Sequence, residues 1–145
     1  MTTLYTTLTP RLIVQNAETA LAFYEQVFAA KRGMCISTPS GQVVHAELDL
    51  GGLRMSVTEA DGEHNRDPES LGGSAVILTW LCDDADALMA RAKAAGAETV
   101  FPVEDRYYGM RDGRFRDPNG HLWLVTQPLE HLSPEELQKR TADPR

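Results

Sequence analysis

The amino-acid sequence contains the same order of predicted elements twice, and this repeat restricts the fold more than any other feature. Each half begins with a short β-strand and an amphipathic helix and continues with three further strands. The tetrapeptide Asp-Leu-Gly-Gly, which begins at Asp49, recurs in the second half as Asp-Pro-Asn-Gly, which begins at Asp117. A repeat of this spacing predicts two modules of βαβββ topology that pack against each other.

The helix of each module has clear boundaries in the sequence. Apolar residues recur at helical spacing over residues 17–28, directly after Asn16, which is a favourable N-cap residue. The second helix starts after Asp83 or Asp84 and ends at Gly96. We align Asn16 with Asp83. The distance along the chain between these two residues is slightly shorter than the distance between the repeated turns. One insertion or deletion between helix and turn explains the difference. The predicted strands are residues 7–14, 31–37, 42–50 and 53–59 in the first module, and residues 74–81, 98–103, 110–117 and 121–127 in the second.

These elements predict one domain of residues 1–130 and a C-terminal tail of residues 131–145. Within the domain, the two modules span about 7–59 and 74–128, and a polar linker of residues 60–73 joins them. The tail begins with Ser-Pro-Glu-Glu, a capping box with proline at the first helical position, and therefore predicts a short helix.

The composition excludes several classes of function. The formal net charge is −7, which argues against general binding to nucleic acids or to anionic membranes. No apolar run approaches the roughly 20 residues that span a bilayer, and the first residues lack the pattern of a signal peptide. Cys35 and Cys82 form no motif typical of a disulfide framework or a zinc site. We therefore expect a cytoplasmic protein.

Three segments of the repeat carry a family resemblance: NAETALAFYEQVF, DDADALMARAKAAGAE and PVEDRYYGMRDGRFRDPNGHLW. In this order they resemble the vicinal oxygen chelate superfamily, within it most the PhnB-like branch of the glyoxalase and bleomycin-resistance proteins. The resemblance implies an α+β fold in which the curved mixed sheets of tandem βαβββ modules form a cup for a small-molecule ligand. It also implies a homodimer. Relatives commonly end the first helix with Phe-Gly-Ala, whereas this chain has Ala29, at which a left-handed backbone is about 1 kcal/mol less favourable than at glycine.

The resemblance further implies four metal-ligand positions, one on the first and one on the last strand of each module. In this chain they fall near Thr9, Ser56, Ile77 and Leu124, with the third uncertain by one residue. A divalent metal needs two or three histidine or carboxylate ligands, and none of these four residues is one. We therefore predict that the protein has no metal cofactor, with a non-standard divalent metal site as the less favoured alternative.

Strand alternation predicts which side chains line the cup. His45 and Glu47 share one polar face of their strand, where they are a candidate ligand-binding, acid/base or two-ligand metal pair. We expect Arg111 to bind an anionic ligand and Phe115 to stack on a flat one, whereas Trp123 is assigned to the core. The complete set of predicted ligand-binding residues is His45, Glu47, Arg54, Ser56, Tyr107, Tyr108, Arg111, Phe115 and Leu124.

Three functions remain open from the sequence. The favoured hypothesis is a metal-free protein that sequesters or senses an antibiotic or an aromatic metabolite. The alternative is a metal-dependent lyase, isomerase or dioxygenase that uses His45 and Glu47. In the third hypothesis the cup serves only as a dimer interface.

Overall fold

Each half of the chain folds into one four-stranded mixed sheet with a helix packed on it. The structure is a computed structural model that describes residues 6–144. The elements, in chain order, are β1 (Arg11–Val14), α1 (Ala17–Phe28), β2 (Lys31–Ser37), β3 (Val43–Asp49), β4 (Arg54–Glu59), α2 (Pro68–Leu71), β5 (Ile77–Leu81), α3 (Ala85–Ala94), β6 (Glu98–Asp105), β7 (Met110–Arg116), β8 (Leu122–Pro128) and α4 (Pro134–Thr141).

The two sheets have the same topology. The first sheet has the order β1-β4-β3-β2 and the second has the order β5-β8-β7-β6. In each, the module's first strand is parallel to its last strand, and the other neighbours are antiparallel. The predicted α+β fold with tandem βαβββ modules is confirmed.

Several predicted boundaries differ from the structure. The first strand begins at Arg11 because Pro10 has no backbone N–H, although the Pro10 carbonyl still accepts a hydrogen bond from Ser56 N at 3.0 Å. The segment assigned to a linker contains α2. The side chain of Asp67 caps this helix by accepting the backbone N–H of Ser70. No helix of residues 6–144 is long and apolar enough to cross a bilayer.

The helices of the two modules begin at equivalent positions. Asn16 caps α1 and Asp84 caps α3, each accepting a backbone N–H from the first turn, at 2.8 Å and 3.0 Å. The next residues, Ala17 and Ala85, are the buried positions at which the helices start. The caps are therefore separated by the same offset as Asp49 and Asp117 of the repeated turn. The alignment of Asn16 with Asp83 is wrong, because the buried faces of the helices match only when Asn16 is aligned with Asp84.

The first helix ends in a left-handed residue, as relatives with glycine at this position would suggest. Ala29 has φ 55° and ψ 34°, and it is the only non-glycine residue with positive φ in the described part of the chain. Its amide N–H and that of Ala30 both bond back to the Tyr24 carbonyl. This backbone satisfies a carbonyl of the last helical turn at a steric cost that glycine would avoid.

One hydrophobic core unites the two modules. Phe23 and Phe28 of α1 contact the second sheet, where their rings lie 5.8 Å from Phe115 and 4.6 Å from Trp123. Tyr24 of α1 donates a hydrogen bond to Asp117, and burial raises the pKa of this phenol well above its usual range. Since α1 packs on both sheets, each sheet has one helix-facing side and one opposite side, which we call the outer face.

Candidate functional site

Strand register determines which side chains share the outer face of the first sheet. Residues paired across neighbouring strands point to the same side. Ser56 is paired with Arg11 on one side and with Glu47 on the other, so these three residues share a face. Met55 and Val57, which alternate with Ser56, are buried in the core. The outer face of this sheet therefore carries the polar residues that sequence alternation predicted.

Four of these outer-face side chains form a continuous polar chain. Nη2 of Arg11 lies 3.3 Å from Nδ1 of His45, and Nε2 of His45 lies 3.1 Å from Glu47 Oε1. Arg54 extends the chain, with Nη1 4.0 Å from Glu47 Oε2. Because arginine only donates, His45 accepts at Nδ1 and donates from Nε2 to Glu47. Both ring nitrogens of His45 are thus occupied within the protein.

The residues at the superfamily's metal-ligand positions do not fit a divalent metal. Ser56 and Leu124 lie on the outer faces of the first and second sheets, but a serine hydroxyl and an aliphatic side chain are poor ligands. Thr9 and Ile77 add no histidine or carboxylate. Among residues 6–144, no group of three or more histidine, cysteine, aspartate or glutamate side chains is arranged to hold a metal ion. His45 and Glu47 would have to break their mutual hydrogen bond and the contact with Arg11 to serve as ligands.

The second sheet has a different outer face. Leu124 is paired with Thr79 on one side and with Arg114 on the other, which places these three residues together. By the same register the face also includes Ile77, Leu81, Leu122, Thr126, Asp112, Arg116 and Phe101. The surface combines aliphatic side chains with polar and charged ones, and Arg114 lies at its centre. A mixed surface of this kind is typical of binding sites for small organic molecules.

The predictions for Arg111 and Phe115 are wrong in their placement. Phe115 is fully buried on the helix side, where it contacts Phe23 and stacks at 6.5 Å on Trp123. Arg111 lies on the same side and binds Asp86 of α3 at 2.8 Å and Asp105 at 2.9 Å. Both residues pair across the sheet with helix-side neighbours, so neither reaches the outer face.

Tyr107 and Tyr108 lie in the turn between β6 and β7, where both are partly buried against neighbouring residues. The Tyr108 hydroxyl donates to Asp112, and burial together with this carboxylate raises the pKa of Tyr108 to about 12. Tyr107 packs edge-on against Tyr108, and its carbonyl accepts a hydrogen bond from Arg140 of α4 at 3.1 Å. The C-terminal helix therefore packs beside this turn.

Three arginines beside the predicted ligand-binding residues were not predicted from the sequence, namely Arg11, Arg106 and Arg114. Arg106 donates to the buried Asp112 at 2.9 Å and to Glu104 at 3.2 Å. Arg114 lies over the ring of Phe101 at 5.0 Å and has a buried Nε without a hydrogen-bond partner. One signal could have identified Arg114. Trp123 was assigned to the core, and its cross-strand partner Phe115 shares its face. Arg114 is adjacent to Phe115 on the same strand and therefore lies on the opposite, outer face.

The predicted ligand-binding residues therefore divide into separate groups. His45, Glu47, Arg54 and Ser56 meet on the first outer face, and Leu124 lies on the second. A cleft of about 600 Å³ opens between the modules, lined by Thr9 and Arg54 from the first module and by Thr79, Trp80 and Trp123 from the second. Only Arg54 belongs to both the first group and this cleft.

Comparisons with known proteins agree with this architecture. The model of the Glyoxalase/Bleomycin resistance protein/Dioxygenase superfamily matches residues 5–125. An uncharacterized protein of Mycobacterium bovis is 36% identical over 135 residues, which cover 90% of this chain and 89% of the relative. The crystal structure of TioX from Micromonospora sp. ML1 is 26% identical, covers 86% of this chain and 100% of TioX, and has a TM-score of 0.65. The fosfomycin resistance protein FosX of Listeria monocytogenes, in complex with Mn(II) and sulfate, is 22% identical, covers 96% of this chain and 99% of FosX, and has a TM-score of 0.66.

Proposed function

Because the chain belongs to the glyoxalase, bleomycin resistance protein and dioxygenase superfamily, we propose that it binds a small organic molecule without a metal. The proposal is supported by the chemistry of the four positions that the family resemblance assigns to metal ligands, which in this chain fall near Thr9, Ser56, Ile77 and Leu124. The outer face around Leu124 combines aliphatic and polar groups, as small-molecule sites do. The proposed roles are sequestration or sensing of an antibiotic or an aromatic metabolite, in the manner of the PhnB-like branch and in the cytoplasm.

We also propose that a homodimer completes the binding site. Ile77 and Leu81 on the second outer face are 41% and 64% exposed, and Met34 and Ile36 of β2 are also exposed. Exposed apolar side chains on a sheet face favour association, since a second copy removes them from water. A dimer of this kind would convert open outer faces into an enclosed cup. Light scattering during size-exclusion chromatography measures the oligomeric state, and a monomer at all concentrations would contradict the dimer.

Ligand binding and metal content test the main proposal together. We expect compounds from a panel of antibiotics and aromatic metabolites to raise the melting temperature, because a ligand of the folded state stabilises it by mass action. We expect the same shifts after treatment with a chelator, and no stoichiometric first-row metal ion by elemental analysis. Shifts that vanish with the chelator and return with a metal would overturn the metal-free part of the proposal.

A metal-dependent lyase, isomerase or dioxygenase is the second candidate, supported by the His45–Glu47 contact of 3.1 Å on one outer face. In this case the protein would hold one metal ion per site, and the His45→Ala variant would lose both the metal and an activity. Arg11→Ala is the matched control, since it removes the other partner of His45 and leaves the imidazole and the carboxylate. If no compound shifts the melting temperature and no metal is bound, the outer faces serve only as a dimer interface.

A further inference from the structure

Arg114 is the central charged residue of the second outer face. It lies on β7 between Leu124 of β8 and Phe101 of β6, both of which are its cross-strand partners. Its guanidinium is placed over the Phe101 ring at 5.0 Å, a cation–π distance. The side chain is thus held in position by an aromatic ring rather than by a carboxylate.

The hydrogen-bonding groups of Arg114 have no partner among residues 6–144. Its Nε is buried and makes no hydrogen bond, and no carboxylate of the described chain forms an ion pair with it. Buried polar groups in folded proteins are nearly always paired, so an unpaired guanidinium nitrogen requires an explanation. The Nη groups of the same guanidinium are not buried in this way and also lack a partner, so a ligand on the outer face can supply their acceptor.

The acidic groups of the same face are already engaged by other cations. Asp112 accepts hydrogen bonds from Arg106 and Tyr108, and Glu98 pairs with Arg116 at 3.4 Å. Arg114 therefore contributes an uncompensated positive charge to a surface whose other central groups are Leu124 and Thr79. In such surroundings an oxyanion gains charge-assisted hydrogen bonds from the guanidinium, which presents a fork that matches a carboxylate or a phosphate.

We propose that Arg114 binds the oxyanion of an organic acid ligand, whose apolar body packs on Leu124, Leu122 and Ile77. This inference rests on the proposed small-molecule function and specifies the charge of the ligand. Phe101 lies on one side of the guanidinium, and the proposed oxyanion accepts from the Nη groups, which have no hydrogen-bond partner among residues 6–144. Arg111, which the sequence suggested for this role, is occupied by Asp86 and Asp105.

Binding of small aromatic probes to matched variants tests the inference. The probes are benzoate, phenyl phosphate and the neutral benzamide, titrated by calorimetry and by two-dimensional NMR of the arginine Nε–H groups. The variants are Arg114→Gln, Arg114→Lys and Arg116→Gln, of which the last removes the same charge from a neighbouring position on the same face. Denaturation curves verify that each variant is folded.

We expect benzoate or phenyl phosphate to shift the Nε–H signal of Arg114 and to bind at least about tenfold more weakly to Arg114→Gln. Arg114→Lys should recover part of this loss, and Arg116→Gln should change affinity less than about threefold. Benzamide should bind the wild type and Arg114→Gln alike. The relative strength of benzoate and phenyl phosphate distinguishes a carboxylate ligand from a phosphate ligand.

Two results would overturn the inference and separate it from the proposed function. If the anionic probes bind Arg114→Gln as well as the wild type, or fail to bind while neutral members of the compound panel bind, then Arg114 is not an oxyanion site but small-molecule binding stands. If no compound of any charge binds the wild type, the inference and the proposed function both fail.

Discussion

Asp49 and Asp117 occupy corresponding places in the repeated sequence, yet their side chains lie in different surroundings. Asp49 is exposed and accepts one hydrogen bond, from Gly52 N at 2.8 Å. Asp117 is 4% exposed and accepts from the side chains of Tyr24 and Trp123 and from two backbone amides of its own turn. Repetition of the sequence has thus placed a turn at both sites, but the two turns differ in their hydrogen bonds and in their burial.

The difference arises from the position of α1. This helix belongs to the first module, but its Tyr24 and Phe28 contact Trp123 of the second sheet. The second module's turn also reaches back to the first module, where Asn119 Oδ1 accepts the backbone N–H of Gln15 and of Asn16. The side chains of Asp117 and Asn119 in the second turn therefore form hydrogen bonds with the first module. Variants at matched positions measure how unequal the modules are.

The largest effect on stability is expected at the corresponding aspartates of the two turns, Asp49 and Asp117. Asp117→Ala leaves the buried Tyr24 hydroxyl and Trp123 indole N–H without their acceptor, and we expect it to lower the free energy of unfolding by about 3 kcal/mol or more. Asp49→Ala removes one exposed turn contact and should lower it by less than about 1 kcal/mol. Urea denaturation at one fixed protein concentration measures both values. Equal losses for the two variants would contradict the proposed asymmetry.

A smaller difference is expected where the last strand of each module caps the helix. Glu59 accepts the backbone N–H groups of Ala17 and Val43 at 2.9 Å and 2.7 Å, whereas Gln127 accepts only that of Ala85, at 3.1 Å. We expect Glu59→Ala to lower the free energy of unfolding by about 2 kcal/mol and Gln127→Ala by about 1 kcal/mol. Urea denaturation ranks the two variants, and the opposite order would show that the second contact of Glu59 contributes nothing.

The residues that end the two helices are expected to respond to substitution in opposite directions. Ala29 has φ 55° and Gly96 has φ 105°, both in the region that favours glycine. Ala29→Gly should therefore stabilise the protein by up to about 1 kcal/mol, and Gly96→Ala should destabilise it by about 1 kcal/mol or more. Melting temperatures from calorimetry check both signs. A destabilised Ala29→Gly would mean that the methyl group contributes packing that outweighs the strain.

The smallest effect concerns Tyr108 at the β6–β7 turn of the second module. Burial and Asp112 raise the pKa of Tyr108 from 10.0 to about 12. The raised pKa means that the folded state favours the protonated phenol, so its stabilising contribution is complete below about pH 10 and is lost as pH rises through about 12. Besides the buried Tyr24, absorbance of the phenolate should show one late-ionising tyrosine that disappears in Tyr108→Phe and persists in Tyr107→Phe. Loss of the late ionisation in Tyr107→Phe instead would contradict the assignment.

Much of the fold follows from local sequence signals. The helix over residues 17–28 and its Asn16 cap were predicted at their observed positions because capping and periodicity act within one element. The order of the strands along the chain in each module was predicted for the same reason. The boundary at Pro10 shifted because strand assignment depends on the hydrogen bonds of a partner strand.

The candidate site was predicted less well than the fold, and the first module better than the second. From Val44 to Asp49 of β3, apolar and polar residues alternate, so the face of His45 and Glu47 was correctly predicted. On β7, arginines occupy both faces, and Arg111 and Arg114 cannot be distinguished by composition. Their roles follow from which acidic groups lie within reach, and those groups come from α3 and β6.

The sequence by itself determined the modular repeat, the cap of the first helix and the periodicities, because these depend on residues a few positions apart. Only the tertiary structure decided that Asp117 is buried while Asp49 is exposed, and that Arg111 is paired while Arg114 is not. These outcomes depend on side chains that lie far apart along the chain, such as Tyr24 against Asp117 and Asp86 against Arg111. Local sequence specifies the elements of each module, and tertiary packing specifies which of the charged side chains are paired.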